Sequence, residues 1–205
     1  MWENLGMIQN KKIIVITGPI ASGKSTATKY FEKKGYNVID ADIVSRQVME
    51  KGQDCYFETI KEFGNEILDS NGIINRKTLG EIVFNDKNKL MLLNQITHKH
   101  IENRIMEIIN NLSSDELFLD IPLFFNSPYE KIADTVICVN ANIELRVSRI
   151  ISRNQLTKDE ALSRIYSQRD FDLDKAKCDY IIVNENDYET LEKSLSDIMR
   201  KILTK

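Results

Sequence analysis

The segment Gly18-Pro19-Ile20-Ala21-Ser22-Gly23-Lys24-Ser25, followed by Thr26, constrains this chain more than any other. It fits G-x-x-x-x-G-K-[ST]. Its setting supports the match, because the apolar run 13–16 reads as a strand before it and helical periodicity begins at Lys24. Glycines let such a loop wrap closely, with backbone N–H groups aimed at phosphate oxygens, and the following helix N-terminus adds partial positive charge at the same place. Lys24 is expected to reach the β- and γ-phosphates, and the Ser25 hydroxyl to ligate Mg²⁺. Gly18, Ala21, Ser22, Gly23, Lys24, Ser25 and Thr26 are therefore candidate ATP-binding residues. The loop alone does not separate a kinase from a GTPase or a motor.

The pattern around the loop predicts an α/β fold. Five short runs have strand character: 13–16, 38–39, 117–119 with Ile121, 135–139 and 180–183. Several are continuously apolar, which suits strands of a parallel sheet covered on both faces. Helical patterns lie between them at 24–34, 87–111 and 187–203. On the second, Leu90, Leu93, Ile101, Ile105 and Ile108 fall at helical spacing. On the third, Leu191, Leu195, Ile198 and Ile202 form one stripe. Alternating strands and helices predict three layers with a five-stranded parallel sheet. The stretch 41–116 is far longer than one crossover needs. The expected organisation is a single domain over 1–205, with a core at 11–40, 117–145 and 178–205. A helical insertion at 41–116 and a helical lid at 146–177 complete it.

Two strand ends carry carboxylates. The second run closes on Asp40-Ala41-Asp42. A phosphoryl acceptor needs a carboxylate beside its hydroxyl to orient it and take its proton. Asp42 is the candidate and Asp40 the alternative. The competing reading is helix capping, which aspartate also favours, and the two residues could divide the tasks. Arg46 follows Asp42 by four residues, on one helical face, and could pair with it or hold a substrate phosphate. The third run leads into Asp120-Ile121-Pro122-Leu123. An acid at the end of an apolar strand is a candidate Mg²⁺ ligand, although turns before proline also favour aspartate.

Arg146, Arg149 and Arg153 share a helical face after the fourth run, and Arg164 and Arg169 follow a short polar turn. Helix, turn and helix suit a lid over ATP, where guanidinium groups meet phosphate oxygens two at a time. A solvated helix face is the plainer alternative. His98 and His100 stand two apart, so on a helix they diverge and make no metal pair.

Bulk properties narrow the classes further. A formal net charge of −3 does not suit non-specific nucleic-acid binding, which needs excess positive charge. No apolar run approaches a membrane span, and the N-terminal residues before Lys12 carry no apolar signal core. A cytoplasmic location is expected, with either Met1 or Met7 as the start. Cys55, Cys138 and Cys178 are far apart and odd in number. They are expected to be free thiols rather than a disulfide framework or metal knuckle.

Taken together, these segments resemble the dephospho-coenzyme A kinase family from Lys12 to about Leu195. The resemblance rests on Thr17-Gly18 with Ser22–Thr26, Asp40-Ala41-Asp42 with Arg46, and Phe63-Gly64. It continues through Gly72 with Arg76 and Leu79, His98, Asp120-Ile121-Pro122-Leu123, Arg149, Arg153, Arg164-Ile165 with Gln168, and Asp179 with Asn184. The resemblance implies a P-loop kinase fold and transfer of the ATP γ-phosphate, with Mg²⁺, to the ribose 3′-hydroxyl of dephospho-coenzyme A. It implies catalytic roles for Lys24, Asp42 and Arg149, and ATP binding by the loop with Arg149 and Arg153. Substrate binding falls to Asp42, Arg46, Arg76 and His98, and metal binding to Ser25 and Asp120. A nucleoside or nucleotide kinase is the alternative, and a nucleotide-dependent switch ATPase a more distant one. No guanine-reading N-K-x-D motif is present. Four positions depart from the family pattern: Pro19 and Ala21 stand where glycine is common, Lys99 where proline often follows the histidine, and Asn126 where glutamate is usual.

Overall fold

The computed structural model describes residues 11–168 and 171–204; Met1, Met7 and Arg169 lie outside them. The chain forms two compact units, Asp40–Ser113 and residues 11–39 with 114–204.

The second unit is built on a five-stranded parallel sheet in the order β2-β3-β1-β4-β5. The strands are β1 (Lys12–Thr17), β2 (Asn37–Asp40), β3 (Glu116–Asp120), β4 (Thr135–Asn140) and β5 (Tyr180–Val183). The central strand β1 is buried from Ile13 to Thr17, as expected for a continuous apolar run with both faces covered. Register is pinned at the strand starts by carboxylates. Asp134 accepts from the Ile13 N–H at 2.7 Å, and Asp179 from the Val136 N–H at 2.8 Å. Helices α1 (Lys24–Lys33) and α8 (Tyr188–Leu203) pack together on the sheet. Leu191, Leu195, Ile198 and Ile202 of α8 form the expected buried stripe. Phe31 stacks on Phe118 with ring centroids 4.0 Å apart. Helices α6 (Ile143–Asn154) and α7 (Lys158–Tyr166) form a hairpin around Val147, Ile150, Ala161 and Ile165. Thr157 starts α7 with a reciprocal capping box to Glu160.

The first unit is helical. Helices α2 (Ala41–Val48), α3 (Asp54–Phe63) and α4 (Arg76–Phe84) all pack on α5 (Lys87–Asn111). With neighbours on several sides, α5 has no single apolar stripe. Its buried residues are Ile96, Ile105 and Ile109, so of the five expected on one face only Ile105 is fully buried.

The cysteines differ from expectation. Cys138 and Cys178 form a disulfide, and Cys55 is a buried free thiol. The pairing is a product of the sheet. Parallel register sets Cys138 of β4 beside Ile181 of β5, and Cys178 lies just before β5. Their Cα atoms stand 6.1 Å apart, within the range a disulfide bridges. A sequence separation of 40 concealed this proximity.

Candidate active site

The phosphate loop leaves β1 at Thr17 and enters α1 at Lys24, as the motif requires. Two glycines have no substitute. Gly18 has φ 153° and Gly23 φ 97°, and a Cβ would strike the Val139 carbonyl at the first and the Asn184 amide at the second. Ala21 adopts φ 61°, a left-handed conformation uncommon for a residue with a Cβ.

The loop carbonyls are drawn outward by side chains of the same unit. Arg149 donates to the carbonyl oxygens of Ala21 (3.2 Å), Ser22 (3.1 Å) and Asn184 (3.0 Å). The Asn184 side-chain amide donates to the Ser22 carbonyl at 2.8 Å. Arg146 Nε donates to the Ile20 carbonyl at 2.9 Å, and Gln168 Oε1 accepts from the Ile20 N–H at 2.7 Å. Burial lowers the pKa of Arg146 from its ordinary value. Carbonyls held on one side favour N–H groups turned to the other, which is the arrangement an anion needs.

Lys24 forms an ion pair with Asp120 at the end of β3, and Asp120 is 2% exposed. Ser25 is exposed on the first turn of α1. Among the described residues, no group of three or more His, Cys, Asp or Glu side chains could hold a metal by itself. A hydroxyl and one carboxylate suit Mg²⁺ in phosphoryl-transfer sites, where phosphates and water complete the shell.

A cavity of about 340 Å³ opens beside the loop. Gly23 and Thr26 line it on the loop side, Arg149 and Arg153 on α6, and Asn184 with Asn186 after β5. Arg153 is exposed and, among the described residues, donates locally, to Asn154 Oδ1 at 3.0 Å. The three arginines expected on one face therefore divide. Arg146 and Arg149 hold loop carbonyls, whereas Arg153 faces solvent at the cavity. Arg164 is exposed on the last turn of α7. Asn186 and the backbone contacts of Arg146 escaped sequence reasoning. Asn184 and Gln168 belonged to the resemblance without an assigned role; an asparagine directly after the last strand was the available signal.

The remaining candidates lie in the helical unit. Asp40 is the N-cap of α2, accepting from the Asp42 and Ile43 N–H groups at 2.8 and 3.1 Å. Asp42 is exposed, and its carboxylate has no hydrogen-bond or ion-pair partner among the described residues. Arg46 makes no ion pair with it. Arg76 opens α4 and His98 lies midway along α5, both exposed. His100 instead pairs with Glu58 at 2.7 Å. Asn126 has φ 65°, a conformation asparagine tolerates, and its N–H donates to the Glu130 carboxylate.

Comparison with known proteins gives one consistent result. A sequence model described as dephospho-CoA kinase matches residues 12–190. The dephospho-CoA kinase of Lactobacillus johnsonii is 38% identical over 190 residues, covering 91% of this chain and 96% of that protein. The Listeria innocua enzyme of the same name is 40% identical over 191 residues, covering 92% and 94%. Among solved structures, a dephospho-CoA kinase from Campylobacter jejuni superposes with a TM-score of 0.70 at 31% identity, covering 94% and 97%. A shikimate kinase from Acinetobacter baumannii, at 13% identity and a TM-score of 0.55 over 97% of each chain, shares the fold alone.

Proposed function

The chain belongs to the dephospho-CoA kinase family, whose members phosphorylate dephospho-CoA with ATP in coenzyme A biosynthesis, and we propose that here the ribose 3′-hydroxyl attacks the γ-phosphate with Asp42 as its base. The observation that carries this reading is the loop itself. Its carbonyls are held by Arg149, Asn184 and Arg146, so the N–H groups where the loop enters α1, together with the Lys24 side chain, are left to meet the phosphates. Lys24 leaves its Asp120 contact in part to follow the transferring group. Arg149 acts at the same place by keeping the loop in shape, and Arg153 reaches the nucleotide in the cavity beside it. Ser25 and Asp120 would hold Mg²⁺, which when bound neutralises charge on the phosphate oxygens.

Asp42 orients the acceptor hydroxyl and takes its proton as the new bond forms. Supporting this division, Asp40 is engaged as the helix cap, while the Asp42 carboxylate is exposed and unpaired among the described residues. Arg46, Arg76 and His98 bind the substrate's anionic and hydrogen-bonding groups. The test is ADP release from MgATP with and without dephospho-CoA, with product mass recorded. Acceptor-dependent ADP and a gain of one phosphate are expected. ADP release indifferent to the acceptor would overturn the reading.

A further inference from the structure

The α6–α7 hairpin grips one residue of the phosphate loop through the two peptide groups that flank it. The Ile20 carbonyl accepts from Arg146 Nε at 2.9 Å, and the Ile20 N–H donates to Gln168 Oε1 at 2.7 Å. Arg146 lies in the first turns of α6, and Gln168 follows α7, tied to it by its own N–H to the Ile165 carbonyl at 3.3 Å.

The chemistry of the two side chains makes this grip directional. Arginine only donates, so Arg146 can hold the Ile20 carbonyl but cannot accept an N–H in its place. A half-turn of that stretch of backbone would leave Arg146 facing a donor. The orientation of the Ile20 residue is thereby fixed, and Gln168 must present its oxygen. The neighbours need that restraint. Pro19 has no N–H to anchor, and Ala21 occupies left-handed space that an alanine does not adopt readily. Within the loop only the Ser22 N–H to Pro19 carbonyl bond, at 3.2 Å, spans this turn.

We propose that Gln168 is a positioning residue: it holds the Pro19–Ile20 peptide by its N–H so that the loop is shaped for phosphate before ATP arrives. It touches the loop backbone and not the reacting atoms. The proposal rests on the reading of the loop as the ATP site.

The test uses the full chain and two substitutions. Gln168→Met keeps the length and removes the acceptor. Gln168→Glu keeps an acceptor. Losing one such bond corresponds to about tenfold. The expected result for Gln168→Met is an ATP KM raised about tenfold, with kcat and the dephospho-CoA KM changed about twofold or less. Backbone amide exchange of Ile20, read without nucleotide, should quicken about tenfold in Gln168→Met and stay near wild type in Gln168→Glu. Unchanged ATP KM and unchanged Ile20 exchange in Gln168→Met would overturn the proposal, as would equal loss of Ile20 protection in both variants. If Gln168→Met does not fold, wild-type Ile20 exchange decides. Protection of about tenfold or more supports the grip, and exchange at the unprotected rate rejects it. Because exchange needs no turnover, a protein that failed to use ATP at all would still report on the grip.

Discussion

Ala21 shows how a single backbone angle separates this loop from a glycine-rich one. At φ 61° an L-residue with a Cβ is disfavoured by about 1–2 kcal/mol. Glycine carries no such cost, although its greater freedom in the unfolded chain offsets up to about 1 kcal/mol. Ala21→Gly should therefore leave the protein as stable or stabilise it by up to about 1 kcal/mol, measured by urea unfolding. An ordinary Ala→Gly penalty at this site would refute the left-handed assignment. The departure from the family's usual glycine thus has a physical consequence that a minimal motif does not reveal. The aspartate pair gives a second residue-scale prediction. Asp40 caps α2, so Asp42→Asn should preserve folding and ATP affinity while lowering kcat by about a hundredfold or more. Steady-state kinetics with ATP and acceptor varied separately check this. Near-wild-type turnover would remove Asp42 from catalysis.

At the scale of elements, the pairing of α3 with α5 carries a titratable contact. The hydrogen bond from His100 lowers the Glu58 carboxyl pKa, burial opposing it and Lys99, His100 and Lys61 adding smaller favourable charge. A carboxyl lowered on folding stabilises above its unfolded value, near about 4.3, and loses that contribution as pH falls through the folded value. The pair is partly exposed, so Glu58→Gln should cost less than about 1 kcal/mol at pH 7. The difference from wild type should vanish near about pH 3, read by urea unfolding at both values. A difference that persists in acid would assign the effect to packing instead. This contact also marks where the sequence stopped being legible. All five strands and the helices α1, α5 and α8 were readable, because continuous apolar runs and 3.6-residue stripes report local burial. The Glu58–His100 pair spans 42 positions and has no periodic signature. The same limit hid the interior of α5, which is contacted from several sides, and the outward contacts of Arg146 and Arg149. Spacing showed that those arginines share a face; only the tertiary placement of the loop shows that the face meets backbone carbonyls.

At the scale of the whole chain, the Cys138–Cys178 disulfide encloses the entire α6–α7 hairpin within one covalent loop of the sheet unit. Its ends are β4, beside the Thr17 that opens the phosphate loop, and the entry to β5, which leads to Asn184. A bridge restricts the unfolded chain, and for a separation of 40 the chain-entropy estimate is about 4 kcal/mol. In a protein of this size each kcal/mol moves the melting temperature by about 2–4 °C. Thermal unfolding with a phosphine reductant should therefore occur roughly 8–16 °C below the oxidised protein. Alkylation of the denatured protein should label one thiol without reductant, that of Cys55, and all three cysteines with it. The kinase activity of the reduced form decides whether the hairpin needs this tether. If the bridge sets the hairpin's place at the loop, reduction should raise the ATP KM as well as lower the melting temperature. A fall in melting temperature with ATP KM unchanged would show that the bridge stabilises the sheet while Arg146, Arg149 and Gln168 suffice to hold the loop.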